Sequence, residues 1–166
     1  SNINLLSNYV QIKADGFYFN EVCGSNSISP LTLNCISDMG NSNSIHVNVL
    51  THLEKPRVEF LLGSGMSFDT ATIKAQREVL AIFNISLVGI DNSEYLDISQ
   101  SGDGNAILLG VSAILQGFRS ESELSSLLAL ISNDIRNDGM LNDSNAMSSL
   151  IDQTLLLDTV SIRSNV

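Results

Sequence analysis

The spacing of hydrophobic residues changes once along the chain, near Leu50. Before that point, short runs of β-branched and aromatic residues alternate with turn residues, a pattern typical of strands. Beyond it, apolar residues recur every three or four positions, as on one face of a helix. The pattern predicts a mainly α protein, with a small antiparallel β portion over residues 1–49 and a compact bundle of five or six helices over residues 50–166.

The β portion is predicted from turn residues. Asp15-Gly16 lies between the β-forming runs Tyr9–Ile12 and Phe17–Val22, and this dipeptide is a strong short-range signal for a hairpin. We therefore expect a first hairpin that turns at Asp15-Gly16. A third strand is expected over Leu31–Ile36 and a short fourth one over Ile45–Val49, with a Ser-, Asn- and Gly-rich loop over residues 37–44 between them.

The first two helices are predicted from the residues at their ends. Thr51 and Glu54 have the spacing of a capping box, so a helix is expected to begin at Thr51. Gly63-Ser64-Gly65 is expected to end it. A second helix, capped by Ser67, is expected to reach about Phe83 and to form a helical hairpin with the first.

A long connection and the later helices follow. The connection, residues 84–104, is long for a compact domain, so we expect Tyr95, Leu96 and Ile98 to lie against the core. Capping signals then divide the rest of the chain into helices. The helices are expected over residues 103–116, from Ser120 to about Arg136, from Asp143 or Ser144 to about Leu156, and from Asp158 onward.

The charge of the chain excludes some classes of partner. Its formal net charge is -10, and from residue 86 onward eleven acidic residues face three basic ones. Such a field repels nucleic-acid phosphates and anionic lipid head groups. Nucleic acid is therefore not expected as a partner. No apolar run approaches the roughly 20 residues that a membrane-spanning helix needs.

The two cysteines leave the redox compartment open. Cys23 and Cys35 both lie in the β portion. A disulfide between neighbouring strands is one interpretation, and two small buried hydrophobic residues is the more common one for so sparse a pair.

Two acidic loops partly match the calcium-binding pattern. Asp134–Asp143 has acids at its first and fifth positions and Gly at its sixth, but Arg136 replaces an oxygen ligand and Asn145 stands where a bidentate Glu belongs. Asp97–Asn105 offers oxygens at mostly alternating positions, also without the closing Glu. An interhelix turn and a capped helix start explain the two loops without an ion, and calcium binding stays open at both.

Catalytic residues are not apparent. His46 and His52 are six positions apart, without the spacing of a helical zinc pair. Ser64, the one serine between two glycines, is expected between two helices rather than at a nucleophile elbow. We therefore assign no catalytic, cofactor-binding or metal-binding residue and expect a protein that is not an enzyme.

The chain resembles the helical module of secreted cell-surface lipoproteins of Bacteroides-type bacteria, a family described as hypothetical lipoproteins or putative adhesion proteins. The resemblance covers most of the chain and rests on structural motifs. These are GFYFNEVCG (16–24), VNVLTHLEKPRVEFL (47–61), AQREVLAIFNI (75–85), GDGNAILLGVSAILQG (102–117) and ISNDIRNDGMLND (131–143).

This resemblance implies an architecture and a location. Residues 1–49 would be the tail of an immunoglobulin-like or carboxypeptidase-regulatory-like β domain, and residues 50–166 a helical domain. The full-length protein would be exported, attached by a lipid anchor upstream of this sequence, and displayed on the extracellular face of the outer membrane. The resemblance transfers no catalytic residue.

Two hypotheses of function follow. The first is a non-enzymatic surface module that binds an unidentified protein or glycan or displays a neighbouring domain, and it predicts an exposed apolar patch or groove. The second is a hydrolase of surface polysaccharide, which requires two carboxylates about 5 to 10 Å apart in a cleft. We favour the first.

Overall fold

The computed structural model describes residues 9–40, 44–86 and 89–166. As predicted, the protein is mainly α, with a small antiparallel β portion before the helices. Within the described residues the strands are β1 (Tyr9–Gly16), β2 (Phe19–Asn20), β3 (Ser25–Asn26) and β4 (Leu31–Asp38), and the helices are α1 (Val49–Gly63), α2 (Phe68–Ile82), α3 (Asp103–Gln116), α4 (Glu121–Ile135), α5 (Ser144–Thr154) and α6 (Thr159–Asn165).

The predicted hairpin at Asp15-Gly16 is wrong. These two residues are the last rungs of an eight-residue antiparallel ladder between β1 and β4, where Asp15 pairs with Thr32 and Gly16 with Leu31. Gly16 does not have the positive φ that the predicted turn requires. The intervening residues instead form a separate small hairpin, β2 and β3, whose connection ends at Gly24 with φ 65°.

The predicted third strand is confirmed as β4, but the predicted fourth strand, Ile45–Val49, is wrong. Residues 45–48 are irregular and α1 begins at Val49, two residues before the expected start. Asn48 is the N-cap, since its side-chain oxygen accepts a hydrogen bond from the Thr51 backbone N–H at 3.1 Å. Thr51 completes the capping box by accepting from the Asn48 N–H at 3.0 Å.

Part of the predicted loop over residues 37–44 lies outside the described residues, namely 41–43. Of the remainder, residues 37 and 38 belong to β4.

The other helix ends are close to the predictions. Ser67 occupies the N-cap position of α2 as predicted, but its hydroxyl donates to Thr70 Oγ1 and makes no capping hydrogen bond with the backbone. α3 covers the expected residues. Ser120 caps α4 and forms the predicted capping box with Glu123. Asp143 and Asp158 cap α5 and α6 with their carboxylates. Caps are short-range interactions, which explains why local sequence is sufficient to predict them.

One apolar core joins the helices to the β portion. Leu31 of β4 belongs to the same buried cluster as Leu50 and Leu53 of α1, Val111 of α3 and Ile131 of α4. A second cluster, around Val58, Phe68 and Ala71, lies between the C-terminal half of α1 and the N-terminal half of α2. The predicted boundary between residues 49 and 50 falls in the first turn of α1, and the division into two domains stays a prediction.

Candidate binding groove

A groove of about 520 Å³ lies between the β portion and α3. We call it the binding groove. Three stretches of backbone border it, residues 14–19, 46–49 and 96–98, and most of its other lining comes from β4 and from one face of α3. Its volume is in the range of ordinary ligand sites, roughly 300–1,000 Å³. The remaining lining residues are Glu21, Leu31, Leu33, Leu108, Ser112, Gln116 and Leu124.

Helix α3 presents three residues to the groove at a spacing of four. This spacing places Leu108, Ser112 and Gln116 on one face of the helix. The Ser112 hydroxyl donates to Glu21 Oε1 at 2.7 Å, and the Tyr18 hydroxyl donates to Gln116 Oε1 at 2.6 Å. These two hydrogen bonds attach the segment around β2 to α3.

The other two borders of the groove are tied to a one-turn 3-10 helix, Ser93–Tyr95. The His46 N–H donates to the Glu94 carbonyl at 2.8 Å, and the Asn48 side-chain amide donates to the Ser93 carbonyl at 2.8 Å. Leu96 follows this turn and is buried in the core. The expectation that Tyr95, Leu96 and Ile98 lie against the core is confirmed for Leu96 and wrong for Tyr95 and Ile98, which are 39% and 43% exposed. The connection positions one border of the groove.

Large apolar side chains are exposed at the groove. Phe17 is 69% exposed, and Phe19 and Ile98 are 42% and 43% exposed. Apolar surface of this kind gains free energy when a ligand removes it from water. Aromatic side chains are also enriched among the residues that contribute most to binding.

The titratable groups in the groove are mostly acidic. Asp15, Glu21 and Asp97 are among its lining residues, which include His46 but neither Lys nor Arg. Hydrogen bonds from the side chain and backbone of Ser99 lower the pKa of Asp97. Burial, reinforced by the nearby carboxylates of Glu121 and Glu21, raises the pKa of Tyr18 to about 12. Tyr18 is therefore a neutral hydrogen-bond donor at neutral pH.

A separate set of polar residues is buried behind the groove. This buried acidic cluster consists of Ser37, Glu54, Gln76, Ser93 and Glu94, each at most 5% exposed. Ser93 Oγ donates to Glu54 Oε1 at 2.6 Å and accepts from the Gln76 amide at 3.2 Å. Ser37 Oγ donates to Glu94 Oε1 at 3.3 Å.

Burial also shifts the acidity of the buried groups. It raises the pKa of Glu54 to about 8, where the Ser93 hydrogen bond opposes the shift and the Glu94 charge adds to it. Burial likewise raises the pKa of Glu94, against the hydrogen bonds that its carboxylate accepts. The nearby Cys35 thiol has its pKa raised to about 12, first by burial and then by Glu94. These groups are absent from the lining of the groove.

The sequence missed the role of Glu54. The predicted capping box of Thr51 and Glu54 is wrong, because the Glu54 carboxyl group is buried between the elements that pack on α1. Its position in the sequence could have indicated this burial. Glu54 lies four residues after Leu50 and four before Val58, and both of these residues face the core. A polar residue inside an apolar stripe at helical spacing indicates a buried polar contact.

The two calcium-like loops use their carboxylates internally. Asp134 Oδ2 accepts from the backbone N–H groups of Asn142 and Asp143, and Asp138 accepts from the Met140 N–H. In the other loop, Asp97 Oδ1 accepts from both the N–H and the hydroxyl of Ser99. Within the part of the chain that the structure describes, no group of three or more His, Cys, Asp or Glu residues is arranged to hold a metal ion.

The remaining candidate residues lie apart from one another. His46 borders the groove, whereas His52 accepts a hydrogen bond from the Asn34 N–H, with its pKa lowered by burial and by Lys55. Ser64 Oγ donates to the Leu61 carbonyl at the end of α1. Cys23 is exposed, Cys35 is buried, and both are free thiols, so the structure contains no bond between them.

No family model matches the chain, and neither a curated protein nor a solved structure matches it. Among the described residues, none of the helices is both long enough and apolar enough to cross a bilayer.

Proposed function

We propose that this chain is a non-enzymatic binding module of an exported cell-surface lipoprotein, and that the binding groove is its ligand site. The observation that carries this proposal is the groove itself, a concave and mainly apolar surface with exposed aromatic side chains at its border. A few polar groups in such a surface give orientation and specificity, and its apolar area gives affinity.

The positions of the shifted carboxyl groups favour binding over hydrolysis. The acid partner of a glycosidase pair needs a raised pKa, so that it stays protonated, and must lie in the cleft that admits substrate. Glu54 and Glu94, the described carboxyl groups whose pKa is raised, are each 3% exposed and lie outside the groove lining. A substrate in the groove would not reach them.

The location at the cell surface rests on the family resemblance. The partner is a protein or a glycan outside the cell, and the lipid anchor lies upstream of this sequence. Protease treatment of intact cells that carry the full-length protein tests this part. Degradation of the protein without lysis is expected, and complete protection would contradict the location.

A pair of matched variants tests the groove. The intact chain is screened against a glycan array and a panel of purified extracellular proteins, and each hit is measured again with Phe17→Ala and Phe118→Ala. Both phenylalanines are mostly exposed, at 69% and 58%, but only Phe17 borders the groove. We expect Phe17→Ala to weaken binding about tenfold or more and Phe118→Ala to leave it unchanged. Equal effects of the two variants would place the ligand elsewhere.

A further inference from the structure

The binding groove has three carboxyl side chains and one imidazole among its lining residues but neither Lys nor Arg. The imidazole, His46, lies close enough to Asp97 to help lower the pKa of that carboxyl group. The ion pairs among the described residues are Lys55–Glu59, Arg57–Glu78 and Lys74–Glu78, and these lie on α1 and α2. The acidic groups of the groove are instead hydrogen-bonded by neutral donors, such as Ser112 at Glu21. A ligand that enters the groove therefore meets three acidic side chains against one histidine.

The apolar part of the lining is mostly aliphatic. Its accessible aliphatic side chains are Ile98, which is 43% exposed, and the half-buried Leu33 and Val47, whereas Leu31, Leu96 and Leu108 are each at most 6% exposed. Ligand hydroxyl groups placed against such surface would lose their water without a replacement partner, at a cost of about 1–3 kcal/mol each. Aliphatic side chains would instead gain free energy there.

Hydroxyl-rich ligands would also find several polar groups of the groove already engaged. The Tyr18 hydroxyl donates to Gln116, whose amide nitrogen in turn donates to the Arg119 carbonyl at 2.8 Å. The Ser112 hydroxyl donates to Glu21. Asp15, Glu21 and Asp97 also accept hydrogen bonds, from Thr32, Ser112 and Ser99. Because a carboxylate has about four acceptor sites, these groups can still accept from a cation.

We propose that the binding groove takes an extended peptide segment of a partner protein, with aliphatic side chains on either side of one Lys or Arg. The aliphatic side chains lie on the accessible apolar lining, and the basic group lies beside the groove carboxylates, of which Asp15 and Asp97 are the more exposed and Glu21 is only 4% exposed. This inference rests on the proposed function and narrows the partner from protein or glycan to a basic, aliphatic peptide.

The test begins with a display library of random nonapeptides selected on the intact chain. Recovered sequences are expected to contain Lys or Arg flanked by Leu, Ile or Val. The best peptide is then synthesised together with a second version in which its basic residue is Gln. We expect the Gln version to bind about tenfold more weakly, and raised salt to reduce this difference.

Protein variants locate the contact. Glu21→Gln removes the carboxylate but keeps an oxygen that can accept from Ser112. Asp97→Asn removes a second carboxylate of the groove. Asp152→Asn on α5 is the control, because it removes the same charge from an exposed residue outside the groove. At least one of the two groove variants is expected to weaken the peptide about tenfold, whereas the control is expected to change nothing.

The outcomes separate this inference from the proposed function. Selected peptides without basic residues, or groove variants that bind as the unmodified chain does, overturn the inference. A glycan that binds the groove and is lost in Phe17→Ala also overturns it but leaves the proposed function standing. If neither peptides nor glycans depend on Phe17, the proposed function fails as well.

Discussion

Glu54 lies in the interior of the molecule with its carboxyl group close enough to Glu94 for the two charges to interact. Among the described residues no basic side chain hydrogen-bonds to either carboxyl group, and the hydroxyls of Ser93 and Ser37 donate to Glu54 and Glu94. Ionising either one therefore places a charge in a poorly solvated site. The residue stabilises the fold as a neutral acid, which makes the stability of the protein depend on pH.

Stability is expected to fall as the pH rises. The pKa of Glu54 is raised from 4.5 to about 8 in the folded state, so its contribution is fully present below pH 4.5 and is lost as the pH rises through about 8. The expected decline is about 1 kcal/mol per pH unit over that interval. Denaturant unfolding at several pH values measures it.

Glu54→Gln tests the origin of this decline. The variant keeps an oxygen to accept the Ser93 hydrogen bond and cannot ionise, so its stability should depend less steeply on pH than that of the unmodified chain. Glu59→Gln, on the same helix but partly exposed, is the control and should keep the original dependence. A Glu54→Gln profile as steep as the original would show that another group is responsible.

Arg57 connects three parts of the helical bundle. Its guanidinium binds both carboxylate oxygens of Glu78, at 2.7 and 3.0 Å, and donates to the carbonyls of Arg136 and Asn137 after α4. The side chain of Arg57 is 4% exposed. Its removal would leave a partly buried carboxylate and two helix-end carbonyls without these donors.

Arg57→Ala is expected to destabilise the protein by about 3 kcal/mol, the lower end for breaking a buried pair, because Glu78 keeps some contact with water. Lys74→Ala is the matched control, because Lys74 also approaches Glu78, at 3.8 Å, but its side chain is 46% exposed. Its cost should stay below about 1 kcal/mol. Equal losses for the two variants, measured by urea unfolding, would contradict the bridging role of Arg57.

The ends of α4 are defined by local contacts. At its N-terminus the Ser120 hydroxyl and the Glu123 carboxylate form a capping box. Ser120→Ala should cost about 1 kcal/mol. Ser125→Ala, at an exposed position within the same helix, should change stability by less than about 0.5 kcal/mol. If Ser120→Ala leaves the free energy of unfolding unchanged in chemical denaturation, the cap does not stabilise the protein.

Two glycines near helices are expected to respond in opposite directions to alanine. Gly110 lies within α3 with open space around it, so Gly110→Ala should stabilise the protein by about 0.5–1 kcal/mol. Gly139, after α4, has φ 78°, and a Cβ there would meet the Glu78 carboxyl group that pairs with Arg57. Gly139→Ala should therefore cost about 2 kcal/mol or more. Thermal unfolding distinguishes the two variants, and a change of the midpoint temperature in the same direction for both would contradict this prediction.

Local signals predicted the helices well and the strand pairing poorly. The caps of α4 to α6 act within a few residues, so the sequence is sufficient to place them. Asp15-Gly16 carried a local turn signal, but the pairing of β1 with β4 across 14 intervening residues satisfied more backbone hydrogen bonds. Tertiary pairing overrode the turn propensity there.

The binding groove could not be predicted from the sequence for a related reason. Its borders come from stretches near residues 16, 47 and 97, and its lining from α3, so its shape depends on how distant elements pack. The sequence singled out Asp97 as a calcium-loop residue and His46 as an isolated histidine. Both border the groove, but no local pattern indicated that they share a surface.

In the molecule as a whole, the same 3-10 helix contributes to the buried acidic cluster and positions two borders of the groove. The 3-10 helix that carries Glu94 also holds the residue 46–49 border through its carbonyls and continues into the residue 96–98 border. The interior of the protein thus fixes two of the three borders. A second exposed apolar surface, formed by Ile151, Leu155, Leu156 and Val160 on and between α5 and α6, lies apart from these supports.

Chemical-shift mapping of the bound ligand on the ¹⁵N-labelled chain tests the central claim most directly. The probe is the tightest hit from the peptide library, the glycan array or the extracellular-protein panel. We predict that the largest amide shifts fall in residues 14–19, 46–49 and 96–98 and on the groove face of α3. Shifts confined to α5 and α6 would contradict the assignment of the groove as the ligand site.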